Sequence, residues 1–328
     1  MNTQNIQQLT HFLLKRVVKR GARLIRHFRE GTIHERLVWG IKQGVVLIKL
    51  SPEERCIQRK SRRWATAMAE QRPLEMKVEG GARLRLYRHS ALARNIYAYG
   101  FEKRERIFTS RYLRPGDIFV DVGANMGLFT VIAANQVGSR GRVYSFEPVW
   151  RTRQWLEENV HLNQFDNVSV QALGLSDTEG QMEILVPNNG YDAWSSLATP
   201  IAGTDFHKEQ IETTTWDEFC KRINGQRVTM MKLDVEGWEN RVLDGAEGML
   251  SKEGAPLLQV EFADAAANSA GSSCQDLYRH LEQLGYRVCK YDVEKNRLLP
   301  DPIQECYPYD NLFATKRLAD DNQRLALN

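Results

Sequence analysis

From Asp117 to Pro148 apolar blocks, glycines and acids follow one another as strand, loop, helix and strand, DIFVDVGANMGLFTVIAANQVGSRGRVYSFEP. Ile118, Phe119 and Val120 form a short apolar run opened by Pro115-Gly116-Asp117, which predicts a buried strand of a parallel sheet. Leu128 to Val137 reads as a helix with Leu128, Val131, Ile132 and Ala134 inward and Gly138 as its cap. Arg142 to Phe146 is the next strand. The rhythm then continues with a helix from Arg151 to Asn163, strands Val168 to Leu173 and Val228 to Leu233, and a helix from Trp238 to Leu250. Strand Leu257 to Phe262, helix Cys274 to Leu284 and strands Tyr286 to Val293 and Asn311 to Lys316 complete it. This alternation predicts an α/β fold with an open, Rossmann-like sheet of seven strands, the last pair a hairpin.

The flanks break that rhythm. Leu74 to Tyr87 reads as a hairpin turning at Gly80-Gly81, and Ala91 to Leu113 as a helix ahead of the first core strand. Between Met182 to Val186 and Ile211 to Thr215, read as β-arms, the polar segment Pro187 to His207 with Tyr191, Trp194, Ser195 and Ser196 suits a lid or substrate loop. Near the start, Ile6, Leu9, Leu13, Val17, Leu24 and Phe28 recur at helical spacing, and Leu37 to Leu50 reads as a packed helix. The texture changes near residue 73. The chain therefore divides into a helical extension over 1–72, a core domain over 73–318 and a polar tail over 319–328.

Charge changes the picture of the first segment only. Residues 1–72 hold 16 Lys and Arg against 5 Glu, a balance of +11, while the whole chain is +4. The basic residues Lys15, Arg16, Lys19, Arg20, Arg23, Arg26 and Arg29 interleave the apolar stripe, so the extension reads either as a helix on an anionic membrane surface or as one packing its stripe on the core. Neither the apolar core of about 7–15 residues that a secretory signal needs nor an apolar run of about 18 residues occurs. A mitochondrial presequence shares the Arg-rich, acid-poor character and stays open. The five cysteines, Cys56, Cys220, Cys274, Cys289 and Cys306, are scattered without a C-x-x-C pair, which points to a reducing, cytoplasmic setting and to neither zinc nor a disulfide framework.

The chemistry gathers at the loop after the first core strand. Gly123 and Gly127 bracket Ala124-Asn125-Met126 and let the backbone turn tightly and approach a ligand. Glu147 lies 147−127 = 20 residues past the second loop glycine, where an acid holds a ribose diol. A dinucleotide site wants G-x-G-x-x-G, but Asn125 stands where the second glycine belongs, and Asp121 would repel a pyrophosphate. An acid there suits a cofactor bearing an ammonium and a sulfonium, which is S-adenosylmethionine. Glu102 either caps the cofactor pocket or pairs with Arg104 or Arg106 on the surface. Ser176-Asp177 follows the third strand at the ligand-binding edge, where Asp177 could instead make the turn with Gly180. The fourth strand ends in Asp234-Val235-Glu236-Gly237, whose two carboxylates face one way if the strand stays extended, and the fifth brings Glu261 to the same edge.

At this point the chain from about Leu74 to Lys316, roughly three quarters of its length, resembles the FkbM family of S-adenosylmethionine-dependent methyltransferases. The resemblance rests on ALARNIYAYGFEKRE, PGDIFVDVGANMGLFT, VYSFEP, LGLSDTEG, SSL at 195–197, TTTWDEF, KLDVEGWENRVLDGA and NLFATK, in that order. It implies a seven-stranded class I methyltransferase sheet, with Asp121, Gly123 and Asn125 around the methionine moiety, Glu147 on the ribose and Ser176-Asp177 near the adenine. Leu173-Gly174-Leu175 departs from the shorter run the family tends to have before Ser-Asp.

A hydroxyl acceptor needs a base, and Asp234 or Glu236 is the candidate. The same pair could orient the substrate, or hold a divalent ion with Glu261. No histidine sits in a motif, although His207 lies in the proposed lid. The Asn or Asp followed by prolines and an aromatic that marks amino methylation is missing after the fourth strand, which argues for oxygen. The resemblance points the same way, toward hydroxyls of sugars or secondary metabolites. Two rival readings are an RNA methyltransferase holding phosphates with residues 1–72 and a binding protein with a relic cofactor site.

Overall fold

The computed structural model describes residues 51–327 apart from 73, 89, 189–204 and 224. The amphipathic stretch before residue 50, the segment Leu37 to Leu50 and the lid residues Tyr191, Trp194, Ser195 and Ser196 lie outside the described residues. Among the described residues no helix is long and apolar enough to cross a membrane.

After the antiparallel pair β1 (Leu74–Lys77) and β2 (Arg83–Leu86), the unit written from Asp117 to Pro148 forms as read: β3 (Ile118–Val122), a helix (Leu128–Val137) and β4 (Arg142–Phe146). β3 is the middle of the five parallel strands in an eight-stranded sheet of order β12-β11-β13-β10-β9-β3-β4-β5, with β5 (Val168–Gln171), β9 (Met230–Leu233), β10 (Leu257–Phe262), β11 (Arg287–Asp292), β12 (Arg297–Pro300) and β13 (Asp310–Thr315). β10, β9, β3, β4 and β5 run parallel, whereas β13 is antiparallel to both β10 and β11. The seven expected strands are all present. The eighth, β12, hairpins with β11 at the sheet edge, so the expected hairpin of the last two strands has a strand inserted in its connection. Arg-Leu-Leu-Pro is short and ends in proline, which hides an edge strand from periodicity.

The strands alternate between two cores. Phe119, Met230 and Leu257 face one side and share a buried cluster with the helix Leu128–Val137. Their neighbours Val120, Met231 and Leu258 face the other, with Trp216, Phe219 and Leu277. That helix is buried nearly all round rather than along one stripe, because the 79–81 turn and the helices Lys103–Tyr112 and Trp150–Leu162 also cover it.

Several boundaries differ from expectation. The helix predicted over 91–113 is two, Ala91–Tyr99 and Lys103–Tyr112, broken where Gly100 and Glu102 take left-handed φ values of 68° and 50°. The helix after β9 is likewise two pieces, Glu239–Asp244 and Glu247–Leu250. Leu173–Leu175, read as the end of the third strand and the start of a loop, is a strand of its own, β6, which leaves the main sheet. It pairs with β8 (Phe206–Thr214), which also pairs with β7 (Gly180–Pro187), so both predicted arms are present. Residues read as a polar tail instead form the helix Leu318–Ala326, whose buried Asp321 accepts from Tyr112 Oη at 2.6 Å.

Candidate active site

On the face carrying Phe119, Met230 and Leu257, the next row of the sheet turns polar: Asp121, Lys232 and Gln259 stand in register. One position further lies Glu261, paired with Asn311. A cavity of about 460 Å³ opens there, at the carboxyl ends of the central strands, which is where open α/β sheets bind ligands.

The glycine loop is built by close backbone approach. Gly123 has φ 78°, and a Cβ on it would lie 1.8 Å from the Asp234 carbonyl oxygen; on Gly127, with φ 89°, it would lie 2.6 Å from Leu156 Cδ1. The glycines therefore admit neighbouring chain, not only a ligand as the sequence suggested. Gly123 and Ala124 N–H both donate to the Phe146 carbonyl, at 3.1 and 3.0 Å, and Asn125 N–H donates to Glu147 Oε2 at 2.8 Å. Glu147 Oε1 accepts from Val149 N–H at 2.9 Å. Both carboxylate oxygens are thus held by backbone. Burial pushes the Glu147 carboxyl up to about 7 against those hydrogen bonds. Beyond it Leu173, Gly174, Leu175 and Ile211 form an apolar wall.

Ser176 and Asp177 follow directly on the cavity-lining Leu175 but are not themselves part of the cavity wall. Once β6 has crossed to the small sheet, Ser176 Oγ donates to Asp177 Oδ1 at 2.9 Å and accepts from Trp238 Nε1 at 3.1 Å. Asp177 pairs with Arg241 at 2.8 Å. These residues pin the helix after β9 instead. His207 also stays out of the cavity wall, half-exposed and bonded to Asn188 Oδ1 at 2.7 Å and Glu209 Oε1 at 3.0 Å.

The other end of the cavity is acidic. β9 stops at Leu233 and Glu236 takes a left-handed φ of 54°, so Asp234 and Glu236 converge through a turn rather than by the alternation of an extended strand. Glu239 fixes that turn, its Oε1 accepting from Val235 N–H at 3.0 Å and Gly237 N–H at 3.4 Å. One carboxylate oxygen each of Asp234, Glu236 and Glu261 lies within 4.8 Å of the others. Glu261 is buried and its Oε2 has no hydrogen-bond partner among the described residues. Burial first, and the neighbouring carboxylates second, push Glu236 and Glu261 well above the ordinary carboxylate range.

Lys232 lies within this group, 3% exposed, with Nζ 2.5 Å from Asp234 Oδ2 and 4.8 Å from the centre of the Phe129 ring. Sequence reasoning passed over it and Glu239, although a lysine inside the apolar strand MMKL is itself a signal of a buried ion pair. Asp121 Oδ2 accepts from Thr130 Oγ1 at 2.6 Å, while its buried Oδ1 has no partner among the described residues. Glu102 lines the cavity and accepts from Tyr309 Oη at 3.0 Å and Asn311 Nδ2 at 2.9 Å. It pairs with neither Arg104, which holds Glu105 and Asp310, nor Arg106, which lies 3.4 Å from Glu79. Burial lifts Glu102 to about 7. The structure thus brings Glu102, Asp121, Gly123, Asn125, Glu147, Asp234 and Glu236 to one cavity, with Gly127 supporting the loop behind it.

Comparison with known proteins agrees with this picture. The Methyltransferase FkbM domain matches residues 121–288, about half of the chain, so the chain belongs to the FkbM methyltransferase family. It is 38% identical over 86 residues to the AMB antimetabolite synthetase AmbE of Pseudomonas aeruginosa, covering 26% of this chain and 4% of that protein. It is 27% identical over 150 residues to Methyltransferase 1 of Beauveria bassiana, covering 40% of this chain and 60% of that one. The chain therefore spans less than two thirds of the curated relatives it matches. Among solved structures, methyltransferase FkbM from Methylobacillus flagellatus is similar at 17% identity, with 79% of this chain and 59% of that chain covered and a TM-score of 0.38.

Proposed function

We propose that this methyltransferase uses S-adenosylmethionine and transfers the methyl group to a hydroxyl of a small-molecule acceptor. The observation that carries the reading is the polarity of the cavity, with a backbone-held glutamate and an apolar wall at one end and converging carboxylates at the other. What S-adenosylmethionine supplies when bound is a methyl group on a sulfonium, with a neutral thioether left behind.

The residues fit that cofactor. Glu147, anchored by the N–H groups of Asn125 and Val149, keeps lone pairs for a ribose diol, and the Leu173-Gly174-Leu175 wall suits an adenine. Asp121, whose Oδ1 is buried and unpartnered, suits an ammonium between the two ends. Asp234 and Glu236 act at the acceptor, where their negative field orients the hydroxyl and favours loss of its proton. After β9 stand carboxylates rather than an amide followed by prolines, which suits an oxygen nucleophile that must lose a proton. The walls exclude water and align the reactants, which is most of what an in-line displacement from a sulfonium requires.

The test separates binding from chemistry. Asp234→Asn and Glu236→Gln are assayed for cofactor affinity by calorimetry and for formation of methylated product on a panel of hydroxyl and amine acceptors. Cofactor affinity should hold within a few-fold while turnover on a hydroxyl falls by about 10²–10⁴. Preferential methylation of amines, or turnover unchanged in both variants, overturns the acceptor assignment. Tight binding of a nicotinamide dinucleotide in place of S-adenosylmethionine overturns the cofactor.

A further inference from the structure

We propose that Asp234, Glu236 and Glu261 together bind a divalent cation, of the hard type that prefers oxygen ligands, at the acceptor end of the cavity. The inference deepens the reading that Asp234 and Glu236 act at the acceptor, and rests on it for its place in the reaction but not for its existence.

Geometry supplies the first support. One oxygen from each carboxylate lies within 4.8 Å of the other two, and ligands sharing one Mg²⁺, Mn²⁺ or Ca²⁺ at about 2.0–2.6 Å are at most about 4–5 Å apart. The frame is rigid: Glu261 sits within β10, whose register to β9 is fixed, and Asp234 and Glu236 belong to the turn that Glu239 clamps. Only oxygen donors converge, which selects against softer metals.

The second support is independent of clustering. Glu261 is 5% exposed, lines the cavity, and its Oε2 has no hydrogen-bond partner among the described residues. Asn311, its cross-strand partner, is 3% exposed and holds Glu102 through Nδ2, yet its Oδ1 is also unpartnered. A buried oxygen left without a partner costs about 1–3 kcal/mol, more for a charged group, so the Glu261 oxygen at a ligand cavity points to a cation that completes it. Lys232 does not, since its ion pair is made with Asp234. A cation here would draw in an acceptor oxygen and make a hydroxyl bound to it a stronger acid.

The experiment reads metal binding directly. Full-length protein, stripped with chelator, is titrated with Mn²⁺ and followed by the loss of the free-ion paramagnetic resonance signal, then by competition with Mg²⁺ and Ca²⁺, with and without S-adenosylmethionine. One saturable Mn²⁺ site is expected, weakened at least tenfold in Glu261→Gln and in Glu236→Gln. Circular dichroism melting identifies any variant that fails to fold, and the other then carries the test. Absence of saturable Mn²⁺ binding to the wild type at millimolar concentration, or unchanged binding in both folded variants, overturns the site. A positive titration with no hydroxyl methylation would retain the metal site and remove the acceptor reading.

Discussion

Glu147 and Glu261 close two ends of one cavity on either side of the β3–β9 centre, about 6% and 5% exposed, and their oxygens are served differently. Each oxygen of Glu147 accepts a backbone N–H, from Val149 and from Asn125, and so the loop that makes the cavity also finishes the carboxylate. Glu261 Oε2 accepts nothing from the described residues, and the carboxylates around it add repulsion. Burial raises both, Glu147 to about 7 against its backbone hydrogen bonds, and Glu261 well above the ordinary carboxylate range with its like-charged neighbours adding to the rise. An end complete in itself can receive a neutral diol. An end that is incomplete needs positive charge, and Lys232 provides it for Asp234 alone among the ion pairs made there.

The largest effect should come from breaking that ion pair. Lys232→Met leaves the half-buried Asp234 without its cation, and removal of one partner of a buried pair typically destabilises by about 3–5 kcal/mol. Urea denaturation of the wild type and variant measures it. A loss below about 1 kcal/mol would mean that the acidic end relaxes by protonation and that the contrast with Glu147 is weaker than the distances suggest.

Next in size is the loss of the finished end. Glu147→Ala removes a charge-assisted acceptor for the ribose, which should cost about 1.5–3 kcal/mol, or roughly 10- to 100-fold in S-adenosylmethionine affinity by calorimetry. Turnover at saturating cofactor should fall much less, since Glu147 stands at the other end from the acceptor. Unchanged affinity would break the assignment of the two ends.

How much of this was legible in the sequence follows from where chemistry obeys local pattern. Glu147 was readable, because a strand, a glycine loop and a fixed spacing place it without any tertiary contact. Asp234 and Glu236 were readable as a pair but for another reason than expected, since β9 ends at Leu233 and a left-handed Glu236 brings them together. Lys232 and Glu239 were overlooked because their partners, Asp234 and the Val235 and Gly237 amides, are chosen by the turn and not by periodicity. The contacts of Ser176 and Asp177 were not readable, because their position depends on β6 leaving the sheet, a pairing with β8 some forty residues away. The β12 edge strand was hidden by its brevity and its proline.

A pH dependence sharpens the comparison at smaller amplitude. Glu147 is raised from 4.5 to about 7 in the folded chain, as are Glu102 and Glu239. The folded state therefore binds more protons than the unfolded one between those values, so these groups contribute stability that is full below about 4.5 and is lost as pH rises through about 7. Melting of the ligand-free protein should be lower near pH 8 than near pH 5 by this contribution, against the usual direction for a paired carboxylate. Cofactor affinity should move oppositely, rising by up to about tenfold as Glu147 ionises, because the carboxylate is the better acceptor for a diol. Glu147→Gln should flatten the affinity profile. A profile that keeps its slope in Glu147→Gln would assign the titration to the acidic end instead.

The smallest effect is expected where the sequence promised a contact that the fold does not make. Ser176 and Asp177 are turned to Trp238 and Arg241, and the Asp177–Arg241 pair is partly exposed, with Arg241 55% accessible. Such a pair contributes about 0–1 kcal/mol, screened further by salt. Asp177→Ala should therefore lower stability by no more than about 1 kcal/mol and leave S-adenosylmethionine affinity within about twofold. Ser176→Ala should cost somewhat more stability, since the part-buried Trp238 Nε1–H loses its acceptor, again without a cofactor effect. The measurement is one calorimetric titration per variant beside one denaturation curve. If Asp177→Ala weakens cofactor binding tenfold while the fold holds, the Ser-Asp segment must turn into the cavity when the cofactor binds. The apolar wall of Leu173-Gly174-Leu175 would then be only half of the adenine site.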